Sequence, residues 1–216
     1  MLRLRLRYVS TAIALLLLGS MPAFADIFLF ANLSNGQENP PTVPTTSTGA
    51  SRPASFGTAS FVLNDAMTSM TFTATIFNID FTTLQTPNDV NDNLLNAHIH
   101  AGPLVTPLIN GPVVWGFIGS PFNDNNPNDA VVTPFATGVG GTVSGKWDAP
   151  EGNGTTLAAQ IDNILNGRSY INFHTVQFTG GEIRGNIQQV PEPSIVLLLL
   201  IGMAGLVCAR QQLPTK

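Results

Sequence analysis

The sequence predicts an all-β protein: an antiparallel Greek-key-like β-sandwich with one short helix, flanked by an N-terminal signal peptide and a C-terminal transmembrane helix. Three observations predict this class. Short runs of alternating apolar and polar residues recur along the chain, separated by clusters drawn from 20 glycines, 16 prolines and many Asn and Asp residues. That is the pattern of half-buried strands joined by turns. Charged residues make up 10% of the 216, against about 25% in ordinary soluble domains, which excludes a coiled coil, a basic nucleic-acid arm and a charge-driven disordered chain. The two ends carry apolar runs unlike the middle.

At the N-terminus, Arg3, Arg5 and Arg7 precede the apolar run Ala12 to Leu18, and Ala23-Phe24-Ala25 places small residues at both cleavage subsites. A basic flank, a short apolar core and an A-x-A end make a secretory signal peptide over residues 1–25, with Asp26 the first mature residue. The run is too short to cross a hydrocarbon layer of about 30 Å.

Residues 26–189 form the folded domain. Strands are expected at Ile27–Leu33, Thr58–Leu63, Ser69–Ile79, Asn96–Ala101, Val113–Ile118, Gly141–Trp147, Ser169–Gln177 and Glu182–Gln188. In the third, Met70, Phe72, Ala74 and Ile76 alternate with Thr71, Thr73 and Thr75, close to a period of two. One helix is expected at Thr156–Asn166, lying across an edge or end of the sandwich. Leu157, Ile161, Ile164 and Leu165 share a face, Thr155 or Thr156 caps the start and Gly167 closes the end. The domain has four basic residues (Arg52, Lys146, Arg168, Arg184) against twelve acids, a formal net charge of −8. A surface of that sign repels phosphate backbones, so no nucleic-acid partner is expected. Cys208 is the one cysteine, which excludes an intramolecular disulfide.

At the C-terminus, residues 195–209 carry no charge and span about 22 Å as a helix, short for a bilayer but bridgeable by local thinning. Leu197 to Ile201 has no polar face, so a docked amphipathic helix is excluded. Glu192 on one flank and Arg210 on the other follow the positive-inside rule. Before this span stands Val190-Pro191-Glu192-Pro193, whose prolines hold the backbone extended.

Three histidines offer the most specific chemistry. In a strand over Ala97-His98-Ile99-His100, His98 and His100 project together and Ile99 points the other way. In Tyr170-Ile171-Asn172-Phe173-His174, Ile171 and Phe173 face the core while Tyr170, Asn172 and His174 face away. Glu182 and Arg184 likewise flank inward Ile183. If these strands are neighbours, His98, His100 and His174 share one surface with a polar cluster of Asn172, Glu182 and Arg184. Two readings follow. In one, the imidazoles hold Zn²⁺ or Cu²⁺ with an open fourth position. In the other, they make hydrogen bonds that knit the strands, and Glu182–Arg184 is a surface ion pair. Two polar loops, Thr86–Asn93 and Asn123–Asp129, read as turns. The first resembles a calcium loop but has Leu94 and His100 where that loop needs Gly and Glu. No paired carboxylates, nucleophile elbow, phosphate loop or metalloprotease helix is present.

Two strings carry resemblances. Val190-Pro191-Glu192-Pro193, the apolar span and the basic end resemble the PEP-CTERM sorting signal, over residues 190–216. This implies export, recognition by an exosortase together with the secretion machinery, and a membrane anchor that is transient or permanent. Within the domain, Ala31 to Pro41, Gly57-Thr58-Ala59-Ser60-Phe61, Ala97 to Pro103, Gly111-Pro112-Val113-Val114, Tyr170 to Thr175 and Gly180 to Ile187 resemble, in order, the CHRD domain. That family implies an extracellular β-sandwich and no established enzymatic activity. The His-x-His strand is also similar to that of copper–zinc superoxide dismutases, which need more histidines and a disulfide. The expected function is an exported protein of the cell envelope, surface or extracellular space, with a binding or structural role toward matrix components such as exopolysaccharide, not an enzyme. The alternative is a histidine-based Cu/Zn-binding surface protein or a redox enzyme with a dismutase-like sandwich.

Overall fold

The computed structural model describes residues 25–191 together with 202 and 203. Most of the expected signal peptide, Ala23 included, lies outside the described residues, as do Glu192, Pro193 and all but two residues of the 195–209 segment. Ala25, Asp26, Val190 and Pro191 lie within them and are exposed. No helix among the described residues is long and apolar enough to cross a membrane.

The described residues build ten strands: β1 (Ile27–Ser34), β2 (Phe56–Leu63), β3 (Ser69–Phe77), β4 (Leu94–Ala101), β5 (Val113–Ile118), β6 (Val131–Pro134), β7 (Gly140–Asp148), β8 (Ser169–Thr175), β9 (Ile183–Asn186) and β10 (Gln188–Gln189). They form one sheet in the order β5-β4-β8-β9-β1-β2-β3-β7-β6, with β10 on β1. Every strand pair is antiparallel. The strands form a single curled sheet, continuous through a short β9–β1 link at Ser34↔Arg184, whose two halves face each other as the layers of a sandwich do.

The curl brings distant strands into contact. Phe72 of β3 meets the edge of Trp115 of β5 with centroids 5.8 Å apart, and Trp115 stacks on Trp147 of β7 at 5.6 Å. Phe117 of β5 packs on Phe173 of β8 at 6.0 Å. These rings fill the space between the two halves, and the alternation in the sequence decides which residues enter it. Met70, Phe72, Ala74 and Ile76 are buried, while Thr71 and Thr73 are exposed. Register aligns like with like, Phe61↔Phe72 and Ala59↔Ala74, so apolar side chains of neighbouring strands meet on one face.

The helix α1 (Leu157–Leu165) starts where Thr156 accepts a hydrogen bond from the Ala159 N–H and is followed by Gly167 at φ +68, a left-handed position that suits glycine. Leu157 and Ile164 are buried, with Ile161 and Leu165 packed against the core. The third strand ends at Phe77, two residues before the expected boundary, because Asn78 turns to φ +65 and its amide donates to the Ala54 carbonyl. β8 ends at Thr175, whose hydroxyl accepts from the Phe178 N–H in a turn. β6 is an additional strand. Its four residues are all exposed and pair only with β7, so they show no alternation to read.

The main departure concerns the face of β4, β8 and β9 opposite the core. The sequence reading gave it to solvent. Instead three segments cover it: residues 35–52, 102–112 and 177–181. Asn35 and Thr42 side chains donate to the Glu182 carbonyl, and Arg184 donates to the Thr106 carbonyl and the Asn110 side chain. A second, polar layer therefore lies beneath these loops. Most of its buried polar atoms are hydrogen-bonded, as burial requires; His100 Nε2, Asn172 Oδ1 and Arg184 Nε are exceptions.

Candidate metal centre

Strands β4 and β8 position the three rings. Their register pairs Asn96↔His174, His98↔Asn172 and His100↔Tyr170, so period-two alternation puts all of these side chains on one face. The three histidines do converge as expected, but inside the polar layer: His98, His100 and His174 are 3%, 8% and 5% exposed. The surface location is thus corrected, and the covering loops are the reason.

Each ring has one nitrogen held by a backbone carbonyl. His98 Nε2 lies 3.1 Å from the Ser120 oxygen, His100 Nδ1 2.9 Å from Gly111, and His174 Nδ1 3.0 Å from Thr179. A carbonyl only accepts, so each of these nitrogens carries the hydrogen. In the neutral rings the opposite nitrogens, His98 Nδ1, His100 Nε2 and His174 Nε2, therefore bear bare lone pairs. One nitrogen from each ring lies within 4.8 Å of the others. His98 Nδ1 and His174 Nε2 are 3.2 Å apart, and buried His100 Nε2 has no hydrogen-bond partner.

Two lone pairs at 3.2 Å repel unless a cation lies between them. A proton is disfavoured. Burial, followed by the neighbouring imidazoles, lowers the His98 pKa to about 3. Burial lowers His100 to about 4 and pushes His174 down as well. All three rings are therefore neutral near pH 7, the form that ligates metals. Nitrogens about 2.0–2.1 Å from one ion lie roughly 3–4 Å apart. The close pair meets that spacing, and the widest gap closes with a shift of about an ångström. The carbonyls of Gly111, Ser120 and Thr179 fix tautomer and ring orientation, the role outer-shell acceptors play around metal-bound histidine.

The surrounding groups are also buried, which corrects the expected surface cluster. Asn172, Glu182 and Arg184 are at most 1% exposed. Glu182 does not pair with Arg184. Its carboxylate takes a salt bridge from Arg52 at 2.6 Å and hydrogen bonds from the Ser55 and Thr175 hydroxyls. Arg184 lies 3.7 Å over the Tyr170 ring, and Tyr170 stacks on His100 with centroids 4.6 Å apart and planes 7° apart. Asn172 Nδ2 donates to Glu38 Oε2 at 3.0 Å. Glu38, Arg52 and the three residues whose carbonyls accept from the rings (Gly111, Ser120 and Thr179) were not legible as site residues. They sit in loops without periodicity, up to 134 residues from their partners.

The polar loops read as turns behave as such. Asp89 Oδ1 accepts from the Asn91 and Ser47 N–H groups. The Thr86 hydroxyl joins Asp80 and Asp92. In the second loop Asp124 accepts from the Ala130 N–H and Asp129 from that of Lys146.

A curled antiparallel sheet with a buried polar face, on which three imidazoles converge, makes this an all-β domain. Residues 29–187 match the CHRD domain, and the chain belongs to that family. The match runs from β1 to the end of β9 and includes every residue of the ring cluster. Comparison with curated proteins and with solved structures gives no match.

Proposed function

We propose that this chain is an exported CHRD-domain protein of the cell envelope or surface whose domain holds one Zn²⁺ or Cu²⁺ ion on His98 Nδ1, His100 Nε2 and His174 Nε2. The observation that carries the metal reading is the convergence of three imidazoles, one nitrogen of each within 4.8 Å of the others, with one nitrogen of every ring tied to a backbone carbonyl. Neutral imidazole suits both ions, and the formal charge of −8 on the domain draws cations toward it. The motifs in the sequence support the remainder of the reading: cleavage between Ala25 and Asp26, sorting by an exosortase at Val190-Pro191-Glu192-Pro193, and a binding or structural role in an extracellular matrix, exopolysaccharide included. In that setting the ion serves as a binding and cross-bracing centre rather than a redox catalyst.

Isothermal titration of the metal-free protein with Zn²⁺ and with Cu²⁺ tests the proposal. One site per chain is expected for at least one ion, with affinity at least a hundredfold weaker in His98→Ala. No heat at micromolar metal, or wild type and His98→Ala behaving alike, overturns it.

A further inference from the structure

A cavity of about 360 Å³ opens beside the ring cluster, lined among others by Glu38, Asn110, Thr179, Gly180 and Gly181. Two of its walls are the segments that orient the rings. Asn110 precedes Gly111, whose carbonyl holds His100, and Thr179 itself holds His174. Its inner wall is Glu38, 6% exposed, whose Oε2 accepts from Asn172 Nδ2. Asn172 faces His98 across β4 and β8 and shares a face of β8 with His174. Asn172 thus links the cleft-lining Glu38 to the strand face that carries the rings.

That amide is incompletely bonded. Asn172 is 1% exposed, and its Oδ1 has no hydrogen-bond partner. A buried acceptor left unpaired is costly, so this oxygen is suited to take a hydrogen bond from a bound group. The loop above leaves room beside it. Gly181 takes φ +130, and a Cβ there would fall 2.6 Å from atoms of both Asn172 and Glu38. Glycine is what allows this loop to lie against the amide.

Among the described residues the ring cluster has three metal-ligating members. Three protein ligands leave a tetrahedral ion one position short, the arrangement that takes a water or another exogenous ligand, whereas closed structural sites use four. A bound water needs an acceptor for its hydrogens, and Asn172 Oδ1 is an acceptor without a donor. We propose that the ion's fourth position is open toward this cleft and takes an exchangeable small ligand, water or a small anion, with Asn172 as the positioning residue for the water and the cleft as its route. This rests on the metal reading above and adds that the site is coordinatively open.

Cobalt(II) replaces zinc in nitrogen sites and reports coordination through its visible bands. Azide added to the Co²⁺-loaded full chain is expected to shift those bands saturably at millimolar concentration. Gly180→Trp plugs the mouth of the cleft from a position where a Cβ meets nothing within 4 Å. It is expected to slow azide association at least tenfold in stopped flow while leaving Co²⁺ affinity unchanged. Pro40→Trp, at an exposed position on the opposite lip of the cleft, is a second plug with the same expected result. Co²⁺ bands that ignore azide overturn the open position but leave the metal reading intact. Unchanged azide rates in both plugged variants overturn the cleft as the route. Absence of Co²⁺ bands overturns the metal reading and this inference together.

Discussion

Saturating Zn²⁺ is expected to raise the thermal midpoint of the domain by about 5–10 °C, and His174→Ala is expected to abolish the rise. A ligand that binds only the folded state stabilises it by about 2.7 kcal/mol at a hundred times its dissociation constant. In a domain of 150–250 residues each kcal/mol moves the midpoint by about 2–4 °C. His174 is the most informative position because its Nε2 and His98 Nδ1 form the 3.2 Å pair. Removing it eliminates one of the three proposed ligands and also the lone-pair repulsion between the two rings. The variant should therefore unfold at or near the midpoint of the metal-free wild type and show no dependence on zinc. Differential scanning fluorimetry with and without Zn²⁺ makes the measurement. An equal rise in both proteins would mean that zinc binds elsewhere.

Glu182→Ala lowers unfolding stability by about 3–5 kcal/mol, the range for breaking one side of a buried ion pair. Its carboxylate is fully buried and bonds Arg52, Ser55 and Thr175. The alanine variant leaves the Arg52 guanidinium, with a side chain only 5% exposed, without its counter-charge, and two buried hydroxyls lose an acceptor. Had Glu182 been half of an exposed pair, the loss would be about 0–1 kcal/mol. Urea unfolding separates the two cases, and a midpoint that barely moves would place this carboxylate outside the structural frame. The consequence reaches the ring cluster, because Glu182 anchors the 35–55 segment over the polar face through Arg52 and Ser55.

The strands were legible where alternation is strict. Met70 to Ile76 and Ile171 to Phe173 could be assigned to the core from period alone, and His98, His100, Asn172 and His174 could be placed on one face by the same rule. What period cannot reveal is which faces meet water. Alternation separates apolar from polar, and a polar face is expected outside, but here loops of Asn, Thr and Pro fold over it and satisfy it by hydrogen bonds. Those loops have no repeat, and their contacts are set by pairs such as Arg52–Glu182, 130 residues apart. β6 escaped for a related reason, since an exposed edge of four residues has no buried side to impose a pattern. The strings that resemble the CHRD domain gain a physical meaning in the fold: Asn35, Glu38, His98, His100, Asn172, His174, Glu182 and Arg184 all belong to them, and all end in the buried polar layer.

X-ray absorption at the metal edge of the zinc- or copper-loaded protein tests the central claim most directly. Three imidazoles on one ion predict a first shell of nitrogen or oxygen at about 2.0–2.1 Å, with the outer-ring scattering of three histidines behind it. A shell of oxygen alone, without imidazole scattering, would contradict it.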